Sequence, residues 1–191
     1  MDKESLTAPS YLQDFAQLVG ADGVRLTGNW YHGTASGLQS PILTNGLIGG
    51  GDAELTNKLQ GTLKTIGHQS VDVQEPVFLT QSKELAYFWA QQKAHTRSIY
   101  FGEQETPIVI EAKLPLAMTD KVKPDAGGMA LLLEPGNLYF TYLRELYKGN
   151  GHELAEEENP LKLDRSYFLN KIGLAYCNDA IPAEYLSVLG E

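Results

Sequence analysis

The sequence predicts an α+β protein, in which short, mainly antiparallel strands and separate helices share one core. Apolar segments with strand character are mixed irregularly with amphipathic helical segments, without the regular strand–helix–strand alternation of a parallel sheet. A chain of 191 residues is long enough for one sizeable core, and its 42% hydrophobic content is ordinary for a globular domain. We therefore expect a single domain that spans residues 1–191.

Short helices flank one aromatic strand in the first third of the chain. Ser10 can cap the first helix and Gly20 can close it, while Gly46 ends the second helical segment. Residues 52–75 are polar and resemble an insertion that can flex over a site. The elements predicted here are a helix from Tyr11 to Val19, a strand from Asn29 to Thr34, a helical turn from Ser40 to Asn45 and a helix from Asp52 to Leu63.

The rest of the chain predicts further strands around two longer helices. The segment after Thr106 is the best strand, because it is rich in β-branched residues. Leu85, Phe88, Trp89 and Gln92 recur with a helical period. The predicted elements are strands at Val77–Leu79, Pro107–Leu114, 166–176 and 183–189, and helices at Ser82–His95 and Leu138–Lys148.

Composition disfavours several classes of protein. The net charge is −9 and the 15 Lys and Arg residues are scattered, so nucleic-acid binding is disfavoured. No apolar run approaches the ~20 residues of a membrane span, and the N-terminus lacks the pattern of a signal peptide. We expect a cytoplasmic protein, or one delivered from the cytoplasm without a signal peptide. Cys177 is the single cysteine and no histidines have metal-ligand spacing, so neither an internal disulfide nor a metal site is expected.

Two segments about fifty residues apart carry the residues best suited to bind a ligand. His32 lies at a predicted strand end, where its ring can exchange a hydrogen bond with a sugar hydroxyl, and Gly33 leaves the backbone open to a ligand amide. Tyr87, in the first turns of the following helix, offers a flat face that suits a cationic ring. Together they predict a site for the nicotinamide riboside part of NAD.

The same segments carry a family resemblance. Tyr31-His32-Gly33-Thr34, followed by Gly46-Leu47, forms a first block, and Val77-Phe78-Leu79-Thr80 with Ser82 and Ala86-Tyr87 forms a second. With these blocks the chain resembles the ADP-ribosyltransferases of the diphtheria-toxin and poly(ADP-ribose) polymerase type. The second block is also similar to the rifampicin-modifying transferases. The end of the chain, from Ile172 to Leu186, is similar to the closing strand pair of the polymerase-type members.

This resemblance implies a fold and a set of binding roles. The fold would be a split β-sandwich of two small, mainly antiparallel sheets with flanking helices, and NAD, as substrate, would bind in the cleft. His32 would hold the ribose, Gly33 the carboxamide, and Tyr87 would stack on the nicotinamide. Phe78 would replace the strand tyrosine of the family. Thr34 and Ile172 would complete the NAD-binding positions.

The sequence departs from the family at the catalytic carboxylate. The position of the family's glutamate falls at Lys171 or Ile172, and the absence of an acid there argues against chain elongation. Glu184, in Ala-Glu-Tyr-Leu, and Asp120, after the strand that ends at Leu114, are the substitutes that the resemblance offers. We prefer Glu184 slightly, and a group on the substrate itself is a third alternative.

The expected function is therefore NAD-dependent mono-ADP-ribosylation of a target, more often a protein than a nucleic acid in a chain of this charge. Effectors and toxins are common among compact transferases of this family. An NAD glycohydrolase and an RNA 2′-phosphotransferase share the fold and are enzymatic alternatives. A catalytically inactive module that binds a ligand or a protein is the alternative from another class.

Overall fold

The structure is a computed structural model, and its regular elements lie mostly between residues 29 and 125. It describes residues 12, 15–20, 23–24, 26–64, 75–125, 127–128, 144–145, 147–149, 151, 169–171 and 173–190. The helices are α1 (Phe15–Leu18), α2 (Ser36–Asn45), α3 (Ala53–Lys64), α4 (Lys83–Phe101) and α5 (Leu116–Thr119). The strands are β1 (Val19–Gly20), β2 (Gly23–Val24), β3 (Asn29–Ala35), β4 (Val77–Thr80), β5 (Pro107–Lys113), β6 (Val122–Pro124), β7 (Leu174–Cys177) and β8 (Leu186–Val188).

One antiparallel sheet of six strands, in the order β6-β7-β4-β3-β5-β8, organises the described part of the chain. β3 pairs with β5 along all seven of its residues, and β4 pairs with β7 along all four. β3 and β4, at the centre, are joined by the single pair Tyr31↔Thr80. The sheet therefore consists of two three-stranded halves. They are joined at one residue pair and diverge on both sides of it.

The α+β prediction is confirmed, and the arrangement of the strands adds detail to it. Instead of two separate small sheets, the described strands form the two halves of one sheet, beside a two-residue ribbon made by β1 and β2. The β3 and β5 segments were predictable because β-branched and aromatic side chains suit a pleated surface.

The two faces of the sheet are covered differently. One face holds the larger apolar core, where Trp30, Leu79, Ile110 and Cys177 are buried. Helix α4 covers β3 on the other face and approaches it closely, because α4 presents buried alanines and β3 presents Gly33. A helix can pack this closely only where side chains are small or absent.

Helix α3 is anchored on α4 by a buried ion pair. Asp52 Oδ1 accepts a hydrogen bond from Leu55 N (3.0 Å) and caps α3, while Arg97 Nη1 lies 2.5 Å from Asp52 Oδ2. Arg97 Nε also donates to Glu105 Oε1 at 2.7 Å. Breaking such a buried pair typically costs about 3–5 kcal/mol. Residues 53–64 of the insertion that was predicted to flex are therefore held against α4. Residues 65–74 lie outside the described part of the chain.

Helix α4 and the closing strands differ in extent from the prediction. α4 continues six residues beyond His95 and ends where Gly102 adopts a left-handed conformation with φ of 75°. The strand predicted over 166–176 is wrong in its first part, because residues 169–171 are helical. Gly173, with φ of 69°, separates them from β7. In the segment predicted as a strand from residue 183, Ala183–Tyr185 form a 3-10 turn before β8.

Other boundaries are closer to the prediction. α2 begins at Ser36, four residues before the expected start, and contains Pro41. The helix predicted from Leu138 is described only at 144–145 and 147–149, which are helical. None of the helices in the described residues combines the length and apolar character that crossing a membrane requires.

Candidate functional site

A cavity of about 740 Å³ opens where the two halves of the sheet part. Its floor comes from residues 31–34 of β3 and 77–80 of β4, and its walls come from α2, α4 and the start of α3. Since β3 and β4 pair at a single position, the diverging strands leave a gap that side chains do not fill. The two sequence blocks that predicted a site therefore meet at one cavity. Each block contributes a run of consecutive residues to its lining.

The His32 ring is fixed in one tautomer by the neighbouring strand. Its Nδ1 lies 2.8 Å from the carbonyl oxygen of Phe78. A carbonyl only accepts hydrogen bonds, so Nδ1 carries the proton, and Nε2 of the neutral ring is left as an acceptor. Burial lowers the pKa of His32; the bond to Phe78 opposes this effect and the charge of Lys93 adds to it. His32 is thus neutral near pH 7 and presents an acceptor at the cavity.

One face of α4 borders the cavity through Ala86, Trp89, Gln92, Lys93 and Thr96. Residues at spacings of three, four and seven share a helix face, whereas Tyr87 is turned about 200° from Trp89. Tyr87 instead packs beside the cluster of Leu12, Tyr31, Ala86 and Val109. The structure thus does not bring Tyr87 into the cavity with His32, and the half-buried Trp89 is the α4 aromatic that lines it.

The remaining positions of the two blocks lie at the cavity, except for Ser82, which is the buried N-cap of α4. Gly33 is there for a different reason. Phe78, with 45% of its surface exposed, and the buried Thr34 both line the cavity. A Cβ at Gly33 would overlap the Ala86 carbonyl and lie 2.7 Å from the Ala90 backbone nitrogen. The missing side chain of Gly33 therefore makes room for α4, and not for a ligand as its sequence context suggested.

Neither predicted carboxylate lines the cavity. Glu184 is exposed in the 3-10 turn, where its hydrogen bond with Tyr185 raises the pKa of that tyrosine. Asp120 is exposed at the end of α5. Ile172 lies outside the described residues. The carboxylates that do border the cavity are Asp52, Glu75 and Asp125.

Asp125 follows β6 and is held by its own backbone turn. Its Oδ1 accepts hydrogen bonds from Gly127 N (2.9 Å) and Gly128 N (3.2 Å). Burial raises the pKa of Asp125, and the bonds from Gly128 and Gly127 oppose this effect. The sequence carried a signal for this arrangement, because an Asp followed two residues later by a Gly pair is typical of a side-chain-to-backbone turn.

Searches of family models, of curated proteins and of solved structures find no match to this chain. Within the described residues, no group of three or more His, Cys, Asp and Glu side chains is arranged to hold a metal ion.

Proposed function

We propose that the protein is an NAD-dependent mono-ADP-ribosyltransferase that cleaves the nicotinamide–ribose bond and transfers ADP-ribose to a target protein. The observation that carries this proposal is the His32 ring. Held by Phe78, it presents an acceptor nitrogen to a cavity that an aromatic ring also borders. A ribose hydroxyl is a suitable donor for His32 Nε2, and the cationic nicotinamide of NAD suits the face of Trp89. This assignment transfers the stacking role from Tyr87 to Trp89.

The charges at the cavity also suit a dinucleotide. Lys93 lines the α4 wall, and its Nζ lies 3.9 Å from Asp52 Oδ2. Asp52 is already paired with Arg97 at 2.5 Å. The positive charge of Lys93 is therefore available to bind the negatively charged diphosphate of NAD. Lys93 is the one Lys or Arg among the described residues of the lining. A single cation is few for an RNA substrate, which favours NAD transfer over RNA 2′-phosphotransfer.

The parting of the two sheet halves supports the same proposal at the level of the fold. The family that the sequence resembles implies a cleft between two small sheets. Here the cavity lies at the gap between β6-β7-β4 and β3-β5-β8. The departure at Lys171 and Ile172 and the net charge of −9 favour single transfer to a protein over chain elongation or nucleic-acid modification.

The test follows both products of NAD cleavage. Purified protein is mixed with cell lysate and with NAD labelled in its adenosine part, and nicotinamide release and labelled macromolecules are measured. Nicotinamide release together with a labelled protein would support transfer. Release alone would indicate a glycohydrolase, and neither product would indicate a non-catalytic binding module. His32→Ala should slow nicotinamide release about ten- to hundredfold, because the ribose loses its acceptor.

A further inference from the structure

We propose that Asp125 is the catalytic carboxylate of this site, in place of the acid that the closing strand lacks. The inference rests on the proposed function, since it assigns a residue to the cleavage of NAD.

The other two described carboxylates at the cavity are less suited to the role. Asp52 is committed to structure, because its Oδ1 caps α3 and its Oδ2 pairs with the buried Arg97. Glu75 is exposed, and its backbone carbonyl accepts a hydrogen bond from Gly50 N at 2.6 Å. An exposed carboxylate is screened by water and stabilises a nearby cation weakly.

Asp125 is held in place by its backbone and by one oxygen of its carboxylate. Its backbone nitrogen donates to Leu174 O (3.1 Å), and its Oδ1 accepts from the Gly127 and Gly128 amides. Its Oδ2 accepts no hydrogen bond from the described residues. A half-buried carboxylate that is fixed in this way at the border of a cavity is preorganised to stabilise positive charge as it develops.

Asp125, directly after β6, and His32, on β3, border the same cavity. Asp125 bonds to Leu174, Leu174 pairs with Thr80, and Thr80 pairs with Tyr31, the neighbour of His32. Three strand spacings separate the backbone of Asp125 from β3 by about 14 Å. The cavity lies between the two halves of the sheet, so a ribose bound there would contact groups from both.

The reaction assigns Asp125 a definite task. The bond between ribose C1′ and the nicotinamide nitrogen breaks, both of its electrons leave with the nicotinamide, and the ribose takes the positive charge. The ionised Asp125 stabilises that cation. A hydroxyl of the acceptor then bonds to C1′ through a lone pair, and its proton passes to Asp125. A carboxyl whose pKa is raised by burial is the stronger base for that last step.

The test compares Asp125→Asn with two matched carboxylate controls outside the cavity, Asp120→Asn and Glu184→Gln. Nicotinamide release is measured in a single turnover, and affinity is measured with a carbocyclic NAD analogue, whose bond to nicotinamide resists cleavage because the ribose ring oxygen is replaced by carbon. Asp125→Asn should slow release about 10²- to 10³-fold. Its affinity for the analogue, and both properties of the controls, should stay within about threefold of the unchanged protein.

A second variant tests the geometry while keeping the carboxyl. A Cβ at Gly128 would lie 2.8 Å from Asp125 Oδ2, so Gly128→Ala should displace that oxygen and slow release as well. This variant decides the question if Asp125→Asn does not fold.

The outcomes separate the inference from the proposed function. Normal release by Asp125→Asn or, where that variant does not fold, by Gly128→Ala would overturn the role of Asp125 and leave the transferase proposal standing. An unchanged protein that neither binds the analogue nor releases nicotinamide would overturn the transferase proposal itself. Slow release by Glu184→Gln with normal release by Asp125→Asn would return the role to Glu184.

Discussion

The burial of the His32 ring predicts that the free energy of unfolding depends on pH. Burial lowers its pKa in the folded state, whereas the unfolded chain takes up a proton near the ordinary value of 6.5. The contribution of the neutral ring to stability is therefore complete above pH 6.5 and is lost as the pH falls from there toward the lower folded pKa. Urea unfolding at pH 7.5 and 5.5 should show a smaller loss of stability in His32→Gln than in the unchanged protein. Equal losses would contradict this.

Substitutions of Trp89 and Tyr87 should change two different quantities, the affinity for the ligand and the free energy of unfolding. Trp89→Ala should weaken binding of the NAD analogue by about 0.5–2 kcal/mol, because the cationic ring loses its aromatic partner. Tyr87→Ala should leave affinity nearly unchanged and instead lower the free energy of unfolding by about 1–3 kcal/mol, since Tyr87 packs beside the cluster that contains Leu12, Tyr31 and Val109. Calorimetric titration and urea unfolding of both variants measure the two quantities. Weak binding in Tyr87→Ala alone would restore the original assignment.

At the scale of elements, the approach of α4 to β3 depends on one glycine. A Cβ at Gly33 would overlap the Ala86 backbone, which no side-chain rotation can relieve, so α4 would have to move. Gly33→Ala should therefore destabilise the protein by about 3 kcal/mol or more. Gly61, inside α3 with no atom within 4 Å of its would-be Cβ, is the matched control, and Gly61→Ala should stabilise by about 0.5–1 kcal/mol. Equal effects in urea unfolding would show that α4 is not seated as described.

Patterns within single elements were readable from the sequence, whereas relations between elements were not. The β-branched residues before Leu114 predicted the strand β5. The helical period predicted α4 and placed Trp89 and Gln92 on one face of it. The family resemblance points to Tyr87, whereas the direction in which that face of the helix points, and so the exposure of Trp89 to the cavity, depends on where the sheet lies. The place of Asp125 at the cavity was unpredicted for a similar reason. It depends on β6 pairing with β7, and three residues of β6 carry little strand signal.

At the scale of the whole molecule, the two halves of the sheet share an apolar core but are joined by few hydrogen bonds within the described residues. Besides the pair Tyr31↔Thr80, the buried Gln81 side chain donates to Thr27 O and Asn29 O at 3.2 and 2.9 Å. The His32–Phe78 bond crosses the same junction. A ligand at the cavity would touch both halves and so add polar contacts across a junction where the described residues make few hydrogen bonds.

Ligand binding should therefore stabilise the whole fold. A ligand that binds only the folded state at 100 times its Kd adds about 2.7 kcal/mol, which for a domain of this size corresponds to about 5–11 °C in Tm. We expect that shift with the carbocyclic NAD analogue in differential scanning calorimetry. Nicotinamide alone, at the same concentration as the analogue, should give a much smaller shift, because it lacks the ribose that His32 would hold. His32→Ala should lose most of the shift at the same analogue concentration, whereas Asp120→Asn, altered at an exposed position outside the cavity, should keep it. The absence of a shift in the unchanged protein, at analogue concentrations up to the millimolar range, would exclude this cavity as a dinucleotide site.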